Sequence, residues 1–277
     1  MTWPYTAFSF ERALEGIAGA GYRYVAFGLP HEGKEIPEHG DDAEANAIVG
    51  QLERFGLKAA MLVGTPWLAP GQPSSRAARL FAFAKMVGAD EVISLGTWGY
   101  RRFPDEPFAE SERASADDAF AAHFRLVAAE AERAGLTVTV KPHTGNTATA
   151  DILKRTLAAI GSPAVKASYD PGNVRFYEGI DPAADFTAIA DQTVSMIAKD
   201  HRGGRANADF PVPGKGDVDF PAIFRTMRLT GFAGPIVVER VDGTDGGALT
   251  ADEIDRRLAE ARGGLAKLLA DAGLAAE

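Results

Sequence analysis

Two spacings of apolar residues alternate along the chain. Apolar residues three and four positions apart predict helices over 9–20, 43–55, 74–87, 116–134, 149–160, 182–190, 220–229 and 252–271. Short apolar segments rich in β-branched residues, typical of a parallel sheet covered by helices, lie at 3–8, 22–28, 57–64, 90–96, 136–143, 165–170, 193–200 and 234–240. A glycine follows most of the predicted helices, at the position where a left-handed backbone commonly ends a helix.

The alternation forms eight strand–helix units when 3–8 is counted as a short first strand. No linker rich in proline, glycine or serine divides them. We therefore predict an α/β fold, a single (β/α)8 barrel over residues 1–277. The rival is a doubly wound open sheet, which usually carries a glycine-rich phosphate loop after its first strand. The segment WPYTAFSF has no such loop.

Composition narrows the class of ligand. The formal net charge of −9 argues against sequence-independent nucleic-acid binding and offers no basic patch to anionic lipid. A small, uncharged substrate suits this charge balance better than a polyanion. There is no cysteine, which excludes disulfides and thiolate metal sites. Because the first residues lack the pattern of a signal peptide and no apolar run is long enough for a membrane span, we expect a cytoplasmic enzyme or binding domain.

Polar and aromatic residues gather at the predicted strand ends, where barrels of this kind carry their chemistry. In chain order these are His31, Trp67, Trp98, Lys141, His143, Asp170, Asn173, Asp200, His201, Glu239 and Arg240. Glu239 follows the apolar run PIVV, and a carboxylate buried there needs a cation or a metal. Lys141 and His143 lie two positions apart, so they project to the same side of their strand. We take Glu239, Lys141 and His143 as the candidate catalytic residues.

The other strand-end residues each have a structural alternative. Asp170 lies in the turn sequence YDPGNV and can cap that turn, and His201 lies in a polar loop. Trp67 and Trp98 suit either the core or an apolar wall against a sugar. We expect substrate contacts from His31, Trp67, Trp98, Asn173, Asp200 and Arg240.

Four segments, SYDPGNV, IAKDHRGG, VPGKGDVDFPAIF and GPIVVE, resemble the xylose isomerase-like barrels, also called sugar phosphate isomerases/epimerases. The resemblance covers nearly the whole chain. It implies a barrel that acts on sugars by proton abstraction next to a carbonyl, as in ketose 3-epimerases, hydroxypyruvate isomerase and inosose dehydratase. It also implies one divalent metal ion, held by a Glu, an Asp, a His and a Glu from strands five to eight. A homo-oligomer is a further option, since many relatives are dimers or tetramers.

The chain departs from this ligand set. Asp170 and Glu239 match, whereas Lys141 falls where relatives have the first Glu and Ala198 where they have the His. A further family histidine is replaced by Asn173. The chain therefore resembles a divergent member whose metal site is altered.

Two interpretations follow from the altered site. In the first, the Lys141 ammonium replaces the metal and pairs with the acids. In the second, a shifted set of His143, Asp170, His201 and Glu239 binds Mn, Mg, Zn or Co. The second interpretation gives both histidines a role.

The leading functional hypothesis is a sugar or keto-sugar isomerase or epimerase. Glu239 would be the base, and a metal ion or Lys141 would be the electrophile at the carbonyl oxygen. The alternatives are a lyase or hydratase on 3-keto-glycosides, which uses the same first step, and a sugar-binding barrel that has lost catalysis.

Overall fold

The structure is a computed structural model that describes residues 1–246 and 248–274; residues 247 and 275–277 of the predicted domain lie outside the described part. Its strands are β1 (Tyr24–Phe27), β2 (Lys58–Val63), β3 (Glu91–Leu95), β4 (Tyr100–Arg102), β5 (Glu106–Pro107), β6 (Thr137–Lys141), β7 (Val165–Tyr169), β8 (Thr193–Ala198) and β9 (Ile236–Val238). Seven of them form one sheet in the order β1-β2-β3-β6-β7-β8-β9, with every neighbouring pair parallel. The predicted α/β barrel is confirmed as a nearly closed barrel.

The helices that cover the sheet are α1 (Phe10–Gly19), α2 (Asp42–Arg54), α3 (Thr65–Leu68), α4 (Ser74–Val87), α5 (Glu110–Ala134), α6 (Ala150–Ile160), α7 (Pro171–Asn173), α8 (Pro182–Phe186), α9 (Phe220–Thr230) and α10 (Ala251–Asp271). The predicted glycine caps are present; for example, Gly88 ends α4 with φ of 81°. The long helix α5 begins earlier than predicted, because Glu112 accepts a hydrogen bond from the Ala109 backbone and caps its first turn. No helix in the described residues is long and apolar enough to cross a lipid bilayer.

The predicted first strand at 3–8 is wrong: Trp3–Tyr5 form a single 3₁₀ turn. Pro4 favours this turn because its ring fixes φ and it has no N–H to give to a sheet. The backbone nitrogens of Met1 and Thr2 instead donate to the carbonyl oxygens of Val238 and Ala26. This short segment thus bridges the gap between β9 and β1, the two edges of the sheet.

Every second residue of a strand faces the barrel interior. The inward side chains of neighbouring strands lie in three layers along the barrel axis. The middle layer is apolar and consists of Ala26, Met61, Ile93, Ile197 and Val237. At the amino-terminal end of the strands lies the buried Glu91, which accepts hydrogen bonds from the Thr139 and Ser195 hydroxyls. At the carboxyl end lies a group of charged side chains. The much larger core fills the space between sheet and helices.

Candidate active site

Four charged side chains meet at the carboxyl ends of four neighbouring strands. Lys141 ends β6, Asp170 follows β7, Lys199 follows β8 and Glu239 follows β9. None is more than 7% exposed. We call these four residues the mouth quartet. Burial of four ionisable groups is costly unless each is paired, so their mutual contacts decide whether the arrangement is stable.

Each ammonium group of the quartet contacts both carboxylates. The Lys141 Nζ lies 2.9 Å from Asp170 Oδ2 and 2.5 Å from Glu239 Oε2. The Lys199 Nζ lies 3.1 Å from the same Asp170 oxygen and 3.0 Å from Glu239 Oε1. Two positive and two negative charges therefore sum to zero inside the barrel mouth.

The two lysines differ in how many oxygens surround their ammonium groups. Lys199 has a third oxygen close to its ammonium: besides its contacts with Asp170 and Glu239 it donates to Asn173 Oδ1 at 2.8 Å, so three oxygens surround its Nζ. Lys141 has two acceptors in the described part of the chain, both carboxylates. One N–H of Lys141 is therefore free to donate to a ligand at the mouth.

The pairing sets the charges of the quartet. Burial would raise the pKa of Glu239, but the Lys141 and Lys199 ammonium groups outweigh it and hold that pKa well below its usual range. Burial lowers the pKa of Lys141, and the Asp170 and Glu239 carboxylates more than reverse this, so the net shift is upward. Burial is also the largest influence on the pKa of Lys199 and lowers it, against the pull of the same carboxylates.

His143 lies beside the quartet in an aromatic wall. Its Nε2 is 2.9 Å from the Tyr177 hydroxyl, and its ring is 5.4 Å from that of Trp98. Burial, with help from the Lys141 and Lys199 charges, lowers the pKa of His143 to about 3, so the imidazole is neutral at pH 7. Trp98 is 44% exposed and presents a flat apolar surface at the rim.

Tyr177 is a candidate site residue that sequence reasoning did not select. It lies in a π-helical turn, Val174–Glu178, which directly follows α7, the short helix that Asp170 caps. Such turns are rare and frequently occur at functional sites. No periodicity in the sequence indicates this turn, because it is too short to show one.

Two predicted substrate contacts lie elsewhere in the structure. His31 is buried, with its Nδ1 3.1 and 3.0 Å from the carbonyl oxygens of Tyr5 and Phe8, so it fastens the amino-terminal segment. Trp67 is buried in the outer core, with the Arg76 guanidinium 4.7 Å from its ring centre. Trp67 thus takes the core position that was its alternative in the sequence.

Asp200 organises a loop. Its carboxylate accepts hydrogen bonds from four backbone N–H groups, those of His201, Gly214, Gly216 and Val218. It is fully buried, and these bonds use both of its oxygens. A direct contact with substrate, as predicted from the sequence, would compete with them.

His201 does not join the quartet. Its Nε2 lies 2.6 Å from the Asn207 carbonyl oxygen, and its ring packs against Phe176 and Phe210. The structure therefore does not bring together the shifted metal set of His143, Asp170, His201 and Glu239.

Asn173 and Arg240 support the site. The Asn173 side-chain amide donates to the Pro142 carbonyl oxygen at 2.8 Å while its oxygen accepts from Lys199, so it links two strand ends. Arg240 pairs with Asp242 and lies over the Phe210 ring at 3.8 Å.

Ala198, the predicted position of the missing histidine, faces away from the mouth. Its side chain belongs to the core between sheet and helices, whereas Ile197 belongs to the barrel interior. Lys199, two residues beyond Ile197, returns to the inward face. The assignment of Ala198 was therefore wrong by the strand alternation, and Lys199 holds the inward position at the strand end.

The residues of the mouth do not fit a divalent metal ion. All four carboxylate oxygens already have a partner: Asp170 Oδ1 accepts from the Asn173 backbone N–H, Asp170 Oδ2 and Glu239 Oε2 accept from the lysines, and Glu239 Oε1 lies 3.0 Å from the Lys199 ammonium. Unit charges ~4 Å apart interact by ~4 kcal/mol at an effective dielectric near 20. The repulsion between a dication and each ammonium group would be about twice as large at that distance. Among the described residues, no three His, Asp or Glu side chains are grouped in a way that could hold a metal.

Comparison with solved structures shows the same fold. A xylose isomerase domain protein from Alicyclobacillus acidocaldarius has 23% sequence identity and a TM-score of 0.75 over 98% of this chain and 96% of that one. A D-psicose 3-epimerase with D-tagatose from Clostridium cellulolyticum H10 has 14% identity and a TM-score of 0.74 over 95% of each chain. A xylose isomerase-like TIM barrel protein from Mycobacterium smegmatis in complex with magnesium has 15% identity and a TM-score of 0.68 over 91% and 89%.

These identities are low enough that the structural likeness shows the fold alone. No curated protein matches the chain. The family model described as xylose isomerase-like TIM barrel, however, matches residues 14–261, which is most of the chain. The protein therefore belongs to the xylose isomerase-like TIM barrel family.

Proposed function

We propose that this protein is an enzyme that removes a proton from the carbon next to the carbonyl of a small sugar or keto-sugar, and so isomerises or epimerises it. The observation that carries the proposal is the free N–H of the buried Lys141 ammonium, held next to the Glu239 carboxylate. This pair supplies the two groups that the reaction requires, an electrophile for the oxygen and a base for the carbon.

Lys141 is the electrophile of the proposal. The substrate carbonyl oxygen accepts the free N–H of Lys141, and negative charge grows on that oxygen as the carbon loses its proton. A fixed ammonium in a buried site stabilises this charge more than water does, because little reorganisation is needed at the moment of reaction.

Glu239 is the base of the proposal. In the resting site it is a weak base, because both its oxygens lie next to ammonium groups, at 2.5 and 3.0 Å. When Lys141 turns to the substrate oxygen, its short hydrogen bond to Glu239 Oε2 weakens and the basicity of that oxygen rises. Glu239 then takes the proton from carbon, and the C–H electron pair forms the enolate. In an isomerisation Glu239 returns the proton to the neighbouring carbon on the same face, while the hydroxyl proton of that carbon passes to the former carbonyl oxygen. In an epimerisation the opposite face of the same carbon takes a proton from water, and the proton held by Glu239 is released to solvent.

The site favours an uncharged substrate. The quartet has no net charge to offer to a phosphate or a carboxylate. Trp98 gives an exposed aromatic face, which suits the apolar face of a sugar. The bound sugar of the epimerase from Clostridium cellulolyticum H10, D-tagatose, is of this class.

Exchange of carbon-bound hydrogen for deuterium tests the step shared by all these reactions. The protein is incubated in D2O with D-tagatose, D-psicose and L-ribulose, and exchange next to the carbonyl is followed by NMR. We expect exchange by the wild type and a loss of about 10²–10³-fold in Lys141→Met, the usual effect of removing one oxyanion donor. The matched control is Lys215→Met, since Lys215 pairs with Glu260 at the surface. Equal exchange by Lys141→Met and the control would contradict the proposal.

A sugar-binding barrel without catalysis is the second candidate. The closed pairing of the quartet favours it, because Glu239 has no oxygen without a donor. Sugar-dependent thermal stabilisation without any deuterium exchange would support this candidate. Exchange followed by loss of a group from the next carbon would instead indicate a lyase, which shares the first step.

A further inference from the structure

We infer that the ammonium groups of Lys141 and Lys199 together are a resident replacement for a divalent metal ion, so that the mouth of this barrel works without a metal. The resemblance of the sequence implied a metal site, and the altered position of Lys141 alone left the question open. The contribution of Lys199 from the next strand but one is what the structure adds.

The two ammonium groups match a bound dication in charge and in contacts. Together they carry two positive charges, and each bridges Asp170 and Glu239, as one metal ion between two carboxylates would. All these contacts lie between 2.5 and 3.1 Å. The acids are thereby neutralised in the folded protein before any ligand arrives.

Among the described residues, no imidazole is grouped with the mouth acids in a way that could hold a metal. The inward positions at the end of β8 are the apolar Ile197 and Lys199 itself. The Nε2 of His143 is bonded to Tyr177, and the Nε2 of His201 is 2.6 Å from a backbone carbonyl oxygen. A metal entering the mouth would have to displace both ammonium groups and would find two carboxylates as its only anionic ligands in the described residues.

Binding of the metal alone tests the inference on the whole, tag-free chain. After dialysis against EDTA, MnCl2, CoCl2 and ZnCl2 are added in about 100-fold excess, and heat of binding and thermal unfolding are recorded. We expect no saturable binding that depends on Asp170 and no rise in Tm. One equivalent of tightly bound metal that is lost in Asp170→Asn would overturn the inference.

A charge-altered variant tests whether the ammonium groups are what excludes the metal. In Lys141→Glu combined with Lys199→Met, three carboxylates face each other without a cation. We expect saturable Mn²⁺ binding, tighter than in the wild type by roughly 100-fold or more, because the repulsion is gone. Adding Asp170→Asn should abolish it. Failure of the folded double variant to bind Mn²⁺ any better than the wild type would count against the inference.

If the double variant does not fold, Lys141→Gln alone serves, since Lys199 still pairs with both acids there. Tighter Mn²⁺ binding than in the wild type then supports the inference, and equal binding contradicts it. These measurements need no substrate, so they are independent of the proposed reaction. They can support the inference for a barrel that turns over no sugar, and they can contradict it for an active enzyme.

Discussion

Two buried glutamates lie at opposite ends of the same barrel interior, and they differ in their partners. Glu239 at the mouth and Glu91 at the start of β3 are 7% and 6% exposed. Glu239 accepts from two ammonium groups, whereas Glu91 Oε1 accepts from the hydroxyls of Thr139 and Ser195, both at 2.6 Å. The apolar middle layer separates the two sites.

The pKa values of the two carboxyls shift in opposite directions. Burial raises the pKa of Glu91, and its two hydroxyl donors only partly oppose it. The same burial at Glu239 is overcome by two cations, which lower the pKa. The kind of partner, rather than the degree of burial, therefore decides which glutamate keeps its charge. The glutamate at the mouth keeps its charge because the two lysines lower its pKa.

The largest loss of stability is expected from Lys199→Met, which removes one of the two cations that distinguish the surroundings of Glu239 from those of Glu91. Lys141 is then left to balance two acids, and Asn173 loses its donor. Breaking a buried ion pair from one side typically costs about 3–5 kcal/mol, so we expect a loss of that size in the free energy of unfolding, measured with urea.

The surface variant Lys215→Met is the control for that measurement, because it removes the same charge from an exposed pair. It should cost less than about 1 kcal/mol. Equal losses in the two variants would mean that the quartet is no more stabilising than a surface pair.

A smaller loss is expected from Glu239→Gln, about 3 kcal/mol, the lower end of the range for a broken buried pair. The amide oxygen still accepts one hydrogen bond, but Lys141 and Lys199 must then share Asp170 as their only carboxylate. Urea unfolding at pH 7 checks the loss. A variant as stable as the wild type would show that the lysines do not need the second acid.

The location of the site can be predicted from the sequence better than the full set of residues that form it. The alternation of helices and strands places Lys141, Asp170 and Glu239 at strand ends, and the structure brings these three together. Lys199 was not selected, although the signal exists: it lies two and four residues after Ile197 and Ser195, so it shares their inward face. Asp200 and His201, which were selected, face a loop instead.

Glu91 could not be predicted, because its environment is built from distant parts of the chain. From the sequence alone, an acidic residue at the start of a strand is expected to be exposed to solvent. The hydroxyl partners of Glu91 are 48 and 104 residues away in sequence. The pairing of the strands decides that Thr139 and Ser195 meet it inside the barrel. Local patterns contain no information of this kind.

The smallest effect, of opposite sign to that of Glu239→Gln, is expected from Glu91→Gln. The amide oxygen keeps accepting from Thr139 and Ser195, and the variant has no charge to bury. Because the folded pKa of Glu91 is raised, the folded state holds its proton more tightly than the unfolded state. The wild type therefore loses stability as pH rises from the unfolded pKa, near 4.5, towards the folded one, and the loss is constant above that.

Urea unfolding of wild type and Glu91→Gln at pH 4, 6 and 8 measures this difference directly, since all other titrating groups are common to both proteins. We expect the two to be nearly equal at pH 4 and the variant to be more stable by about 1 kcal/mol at pH 8, the scale of an imperfectly compensated buried polar group. A variant that is less stable than the wild type at pH 8 would show that two hydroxyls suffice to keep a buried carboxylate charged. The two lysines would then not be the reason why Glu239 keeps its charge and Glu91 does not.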